Sequence, residues 1–177
     1  MKKLYLLRHA KSDWKTPANG DFERPLAPRG QKAAPRMGQE IARLKIKPGL
    51  VLCSTARRAA QTYELIAENL PKKHIVEHRL DLYMASPAKL LKIIRQQSDD
   101  FESILMIGHN PGTEALASHI AGPESPRRLL ADLNEKYPTA ALAAFDLDIG
   151  AWRDLSPGDG TLTYFIKPRD LVCEETH

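Results

Sequence analysis

The chain has little cysteine. Only Cys53 and Cys173 occur among 177 residues, too few and too far apart for a disulfide framework or a metal-ligand cluster. That excludes a small disulfide-stapled scaffold and fits a reducing, cytoplasmic setting. Cys53 closes the apolar run Leu50-Val51-Leu52 and reads as a small buried hydrophobe. No apolar run approaches the length of a membrane span, and the segment after Met1-Lys2-Lys3 is far too short for a signal peptide. A dense tract of one charge is also missing. The formal net charge is only +4, with Lys and Arg scattered along the chain, so neither nucleic acid nor a membrane is expected as a partner. A mildly basic surface suits an acidic or phosphorylated partner equally well. There is no internal repeat and no low-complexity linker, and the length predicts one domain spanning 1–177.

What is present is an alternation of strand-like and helix-like segments. Leu4 to Leu7, Leu50 to Cys53 and Ser103 to Ile107 read as buried strands. Ile75-Val76 is a shorter candidate, and Ala140 to Leu147 and Thr161 to Ile166 read as late strands. Arg29 to Leu44 has helical character, with Pro35 predicting a late start or a kink. Ala56 to Leu70 and Thr113 to Ile120 read as helices. Ser86-Pro87 reads as an N-cap followed by proline in the first turn of a helix running to about Gln97. Lys11 to Pro28 reads as a loop, and Gly122 to Tyr137 as a surface connection carrying Arg127 and Arg128. The alternation predicts an α/β fold, a three-layer α/β/α sandwich with a mostly parallel central sheet. In such a sheet, ligands bind outside the carboxyl ends of the strands.

Three pieces converge on that edge. Arg8-His9 follows the first strand, Ser54 to Thr62 follows the second, and Gly108-His109-Asn110-Pro111-Gly112 follows the strand at 103–107. A phosphoryl group carries negative charge on several oxygens, and an arginine fork can bind two of them at once. A neutral imidazole in such a pocket can attack phosphorus. A second, protonated imidazole can stabilise the oxygens as charge redistributes. Two histidines and two arginines together therefore point to phosphoryl chemistry without a metal or cofactor.

These residues resemble the histidine phosphatase, or phosphoglycerate mutase-like, superfamily, and the resemblance covers essentially the whole chain. Arg8-His9 is similar to the family's Arg-His signature. Ser54 followed four residues later by Arg58, then Ala59, Gln61 and Thr62, is similar to its second signature. That spacing selects Arg58 over Arg57. Gly108-His109 is similar to the third. Within the superfamily the chain looks most like the SixA-type phosphohistidine phosphatases, through Leu7 to Ser12, Arg24-Pro25-Leu26, Arg29-Gly30, the 108–112 run and Tyr137-Pro138-Thr139. The resemblance implies His9 as nucleophile, with Arg8, Arg58 and His109 binding the phosphoryl group and Ser54 and Asn110 as further substrate contacts. It implies a phosphorylated protein or small phosphorylated molecule as substrate, and a monomer or weak oligomer.

A proton donor is harder to place. Asp81, Glu23 and Asp21 are the candidates. An alkoxide leaving group needs a proton badly, whereas imidazole leaves more readily, so weak evidence for an acid favours phosphohistidine over an ester. No long insertion lies between Thr62 and Ser103 to cap the site, which favours a protein substrate. The alternatives are an esterase acting on a phosphorylated metabolite and a non-catalytic phosphoprotein-binding module. Plain structural readings cover the rest. Arg57 faces solvent, Ser54 caps the following helix as readily as it binds phosphate, Thr62 packs, and Asn110 stabilises the turn before Pro111. Arg24 and Arg29 are as readily salt-bridged as substrate-binding. His74, His78, His119 and His177 are structural or exposed, and Trp14 and Trp152 pack in the core or at a rim.

Overall fold

The computed structural model describes residues 1–15 and 19–171; Cys173 and His177 lie outside them. In chain order the elements are β1 (Lys2–Arg8), α1 (Pro28–Arg43), β2 (Leu50–Ser54), α2 (Arg57–Ile66), β3 (Ile75–Arg79), α3 (Pro87–Arg95), β4 (Ser103–Gly108), α4 (Gly112–Ile120), α5 (Arg127–Glu135), β5 (Leu142–Leu147) and β6 (Gly160–Ile166). The six strands form one sheet in the order β3-β2-β4-β1-β5-β6. The first four are mutually parallel, and β5 and β6 add an antiparallel edge.

The central strands are apolar almost throughout because helices cover both faces of the sheet. Alternation in β1 sends Leu4 and Leu6 into a core with α3, α4 and α5. Tyr5 and Leu7 enter a second core with α1 and α2. This is the expected three-layer α/β/α architecture with a mostly parallel sheet. The chain leaves β1 toward α1 on one face and leaves β4 toward α4 on the other, so a crevice opens between the carboxyl ends of these neighbouring strands.

Several elements differ from the sequence reading. Gly122 to Tyr137 is not merely a connection, because it contains α5. Only Leu133 of that helix is fully buried, so the apolar signal is thin beneath Arg127 and Arg128. α1 starts at Pro28 and continues through Pro35. Ala34, Met37, Gly38 and Ile41 are buried along one face, and that packing outweighs the hydrogen bond a proline cannot donate. β3 runs to Arg79, and most of it is exposed or half-buried. An edge strand facing water need not be apolar, which is why only Ile75-Val76 was visible. Ser86 caps α3 as read, its hydroxyl accepting the Lys89 N–H at 3.2 Å.

Candidate active site

Strand register builds the site. Arg8 lies opposite Gly108 in the parallel β1–β4 pair, and the His9 N–H donates to the Gly108 carbonyl at 3.1 Å. The residues that follow the two strands, His9 and His109, are therefore side by side, with ring centroids 5.1 Å apart. Both are buried. β2 pairs with β4 on the other side, which brings Ser54 and the start of α2 to the same edge. A cavity of about 350 Å³ opens there, lined by residues that include Arg8, His9, Asp21, Arg24, Arg58, Tyr83, His109 and Asn110.

His9 has a defined tautomer. Its Nδ1 lies 2.7 Å from the Ala10 carbonyl oxygen. A carbonyl can only accept, so Nδ1 carries the proton and Nε2 keeps its lone pair. The Arg58 Nε–H reaches that lone pair at 3.3 Å. Burial above all, then the neighbouring His109, Arg58 and Arg8, pushes the His9 pKa down to about 3. The ring is neutral across the physiological range.

His109 is held differently. Its Nε2 is 2.8 Å from the Ser54 hydroxyl, which also accepts the Ala56 N–H at 3.2 Å. Its Nδ1 is buried without a hydrogen-bond partner among the described residues, as is Nε of Arg8. Burial first and Arg58 second lower its pKa to about 4, while Asp21 works the other way. Ser54 is fully buried behind the ring and does not line the cavity, nor does it cap α2. Its hydroxyl holds the His109 ring from behind.

The arginines are set by the backbone around them. Arg8 donates to the Tyr137 carbonyl at 2.9 Å, and burial lowers its pKa from the usual arginine value, with Glu114 opposing. Arg58 is almost fully buried and donates to both the carbonyl and the carboxylate of Asp21, at 2.7 and 3.0 Å. Thr62 ties the pieces together: its hydroxyl accepts the Ala10 N–H at 3.0 Å and donates to the Arg58 carbonyl at 2.7 Å. Gln61 accepts the Leu26 N–H at 2.8 Å. Gln61 and Thr62 thus fasten the segment after β1 to α2. Arg57 is exposed, as read.

Asn110 lines the cavity, but its polar atoms are engaged elsewhere. Its Oδ1 accepts the Glu114 N–H at 3.2 Å, and its Nδ2 donates to the Tyr137 carbonyl at 3.1 Å. It serves the turn into α4, as expected. Gly112 follows in close contact, since a Cβ there would sit 2.2 Å from the Ala85 carbonyl oxygen.

The three candidate acids separate clearly. Asp81 is gripped by the Arg79 fork at 2.9 and 2.8 Å. Neither Asp81 nor Glu23 lines the cavity. Asp21 does. Hydrogen bonds from Arg24 and Tyr83, and then the charge of Arg58, hold its carboxyl well below the usual carboxylate range. A carboxylate so held is a poor proton donor at neutral pH.

The sequence reading gave Tyr83 no role. Tyr83 donates to Asp21 and stands edge-on to His109, centroids 5.4 Å apart. Arg24 donates to the Ser12 hydroxyl and to Asp21 at 2.7 Å, and its guanidinium stacks 3.6 Å over Trp14. Trp14 is therefore a rim residue, and Trp152 is core. No local pattern marks Tyr83, which is 62 residues from Asp21 in sequence. Outside the site, His74 has a structural role, bonding the Tyr63 hydroxyl and the Pro71 carbonyl.

Comparison with known proteins agrees with this geometry. The profile of the histidine phosphatase superfamily (branch 1) matches residues 4–82. An uncharacterized protein of Mycobacterium tuberculosis is 34% identical over 164 residues, covering 92% of this chain and all of that protein. A structure assigned as the phosphohistidine phosphatase SixA of Agrobacterium tumefaciens superposes with a TM-score of 0.79 at 30% identity, covering 94% of this chain and 98% of that one. A mitochondrial serine/threonine-protein phosphatase of Xenopus laevis is 27% identical over 171 residues, covering 92% of this chain and 59% of that protein.

Proposed function

Given that the chain belongs to the histidine phosphatase superfamily, we propose that it is a phosphatase acting through a phosphohistidine on His9, with protein phosphohistidine as its substrate. The observation that carries this reading is the His9 tautomer: a neutral ring, its proton fixed on Nδ1 by Ala10, presents the Nε2 lone pair beside Arg58. A nucleophile must be unprotonated at the attacking atom.

In the first step His9 Nε2 forms a bond to phosphorus as the P–N bond to the substrate imidazole breaks, and that imidazole leaves neutral with a proton taken from water. In the second, water attacks phosphorus, the P–Nε2 bond breaks to return neutral His9, and inorganic phosphate leaves, with a proton of the attacking water released to solvent. Arg8, Arg58 and His109 hold the phosphoryl oxygens. The unpartnered Arg8 Nε and His109 Nδ1 are donors suited to those oxygens. A bound dianion favours the imidazolium of His109. That form donates from Nε2 to Ser54 and from Nδ1 to phosphate. Ser54 is thus a positioning residue.

Asp21 decides between leaving groups. It is the only carboxylate among the candidates on the cavity wall, and three neighbours keep it ionised. A site without a ready acid suits an imidazole leaving group better than an alkoxide. The similarity to a protein assigned as SixA supports the same substrate. The similarity to a serine/threonine-protein phosphatase is the specific observation on the side of an ester, again on a protein. No helix among the described residues is long and apolar enough to cross a membrane, and a cytoplasmic, single-domain enzyme is the reading we adopt.

The test compares initial rates on a phosphohistidine protein and on phosphate monoesters, with chelator present, for wild type and His9→Ala. Release from phosphohistidine should dominate and fall about a thousandfold or more in the variant. Faster turnover of a monoester would move the assignment to an esterase. Tight phosphoprotein binding without turnover would make the chain a binding module.

A further inference from the structure

A second cavity, of about 260 Å³, adjoins the catalytic one, and Lys11 and Thr139 line both. Its wall gathers Lys11, Arg29, Lys136, Lys167 and Arg169, with Glu135 the single acid. These cations come from four separate stretches of chain: the loop after β1, the first turn of α1, the end of α5 and the end of β6. One exposed helix face cannot account for such a set; the fold has gathered it.

Charge makes the arrangement unusual. The lining carries a formal net charge of +4, as much as the whole chain. Arg29, Lys136 and Arg169 are exposed, and among the described residues no carboxylate lies within 4.0 Å of them or of Lys11. Lys167 is buried, with Asp132 at 3.9 Å. Clustered like charges repel, and a concave wall concentrates their field. A ligand of opposite sign relieves that repulsion.

We propose that this cleft is an exosite that docks an acidic segment of the phosphoprotein substrate, its carboxylates seated on Arg29, Lys136 and Arg169 while the phosphoryl group meets His9. The inference rests on the function proposed above and deepens it. Flanking surface of a phosphorylated side chain seated in the catalytic cavity that crosses the shared rim of Lys11 and Thr139 meets the basic wall. Long, exposed side chains suit the mobile carboxylates of a protein surface, whereas a small bisphosphate calls for a fixed fork. The exosite selects among phosphoproteins without touching the chemistry at His9.

The experiment uses two substrates: a phosphohistidine protein with carboxylates beside its phosphorylated residue, and phosphoramidate, which reaches His9 but not the cleft. The variant is Arg29→Glu/Lys136→Glu/Arg169→Glu. KM for the protein should rise about tenfold or more with kcat retained, and the salt dependence of kcat/KM should flatten. Turnover of phosphoramidate should stay within about twofold, which also shows that the variant is folded. Hexaglutamate should inhibit hydrolysis of the protein and not of phosphoramidate. Equal losses on both substrates, or no loss on either, would overturn the exosite. Absence of wild-type turnover on either substrate would instead overturn the proposed function.

Discussion

Lowering the pH from 7 to 5 should destabilise this protein sharply, and the two site histidines should account for most of the loss. Both rings are almost completely buried, at 6% and 3% exposure, and their pKa values are depressed from 6.5 to about 3 for His9 and about 4 for His109. The unfolded chain takes up protons at these rings below about pH 6.5, while the native chain does not until pH 4 or lower. Stability contributed by each neutral ring is therefore present above pH 6.5 and is lost as pH falls toward the folded value. One pKa unit corresponds to about 1.4 kcal/mol, so each histidine costs about 2 kcal/mol by pH 5. Together they cost about 4 kcal/mol, a large part of a typical total of about 5–15 kcal/mol. Asp21 stays out of this window. Its carboxyl is held below its ordinary value of 3.8, so its contribution is lost only at lower pH. Urea unfolding at pH 7 and pH 5 measures the difference for wild type, His9→Asn and His109→Asn. Each substitution removes one titrating ring and should shrink the pH-dependent loss by about 2 kcal/mol. Variants that lose as much as wild type would refute the reasoning, because the acid sensitivity would then lie elsewhere.

Further outcomes follow from the same contacts. Saturating phosphate should raise the His109 pKa, seen by NMR titration of the ring, since a dianion offsets the surrounding guanidinium charge; an unmoved titration would deny it contact with the anion. Asp21→Asn should keep kcat for phosphoramidate within about threefold and lower KM severalfold, because Arg58 retains its bonds to His9 and to the residue 21 carbonyl while a negative charge leaves the cavity wall. Loss of the alkaline limb of its pH profile would instead identify Asp21 as the proton donor. Gly30→Ala should destabilise by about 1–3 kcal/mol in urea unfolding, as the new Cβ would meet the Lys11 carbonyl oxygen at 2.2 Å. Tyr137→Phe should cost about 1–2 kcal/mol by the same assay, through loss of the hydroxyl's bond to the Leu6 carbonyl at 2.6 Å.

The central strands, and the gathering of Arg8, His9, Arg58 and His109 at one sheet edge, were legible in the sequence. Period-2 and continuous apolar runs report burial on both faces. A motif such as Arg8-His9 lies at the end of its strand, so its place at a sheet edge follows from local order alone. α5 and most of β3 were not legible, since each buries only a small part of its surface and leaves little apolar signal. The His9 tautomer, Asp21 clamped by Arg24, Arg58 and Tyr83, and Ser54 hidden behind His109 were decided by packing. Apart from the local bonds of His9 to Ala10 and of Arg24 to Asp21, those contacts join residues tens of positions apart, and the physical quantities that matter there, burial, local charge and hydrogen-bond direction, come into existence only when the strands align. The basic cleft belongs with them. Its five cations lie in four separate stretches of the chain until the fold sets them on one wall.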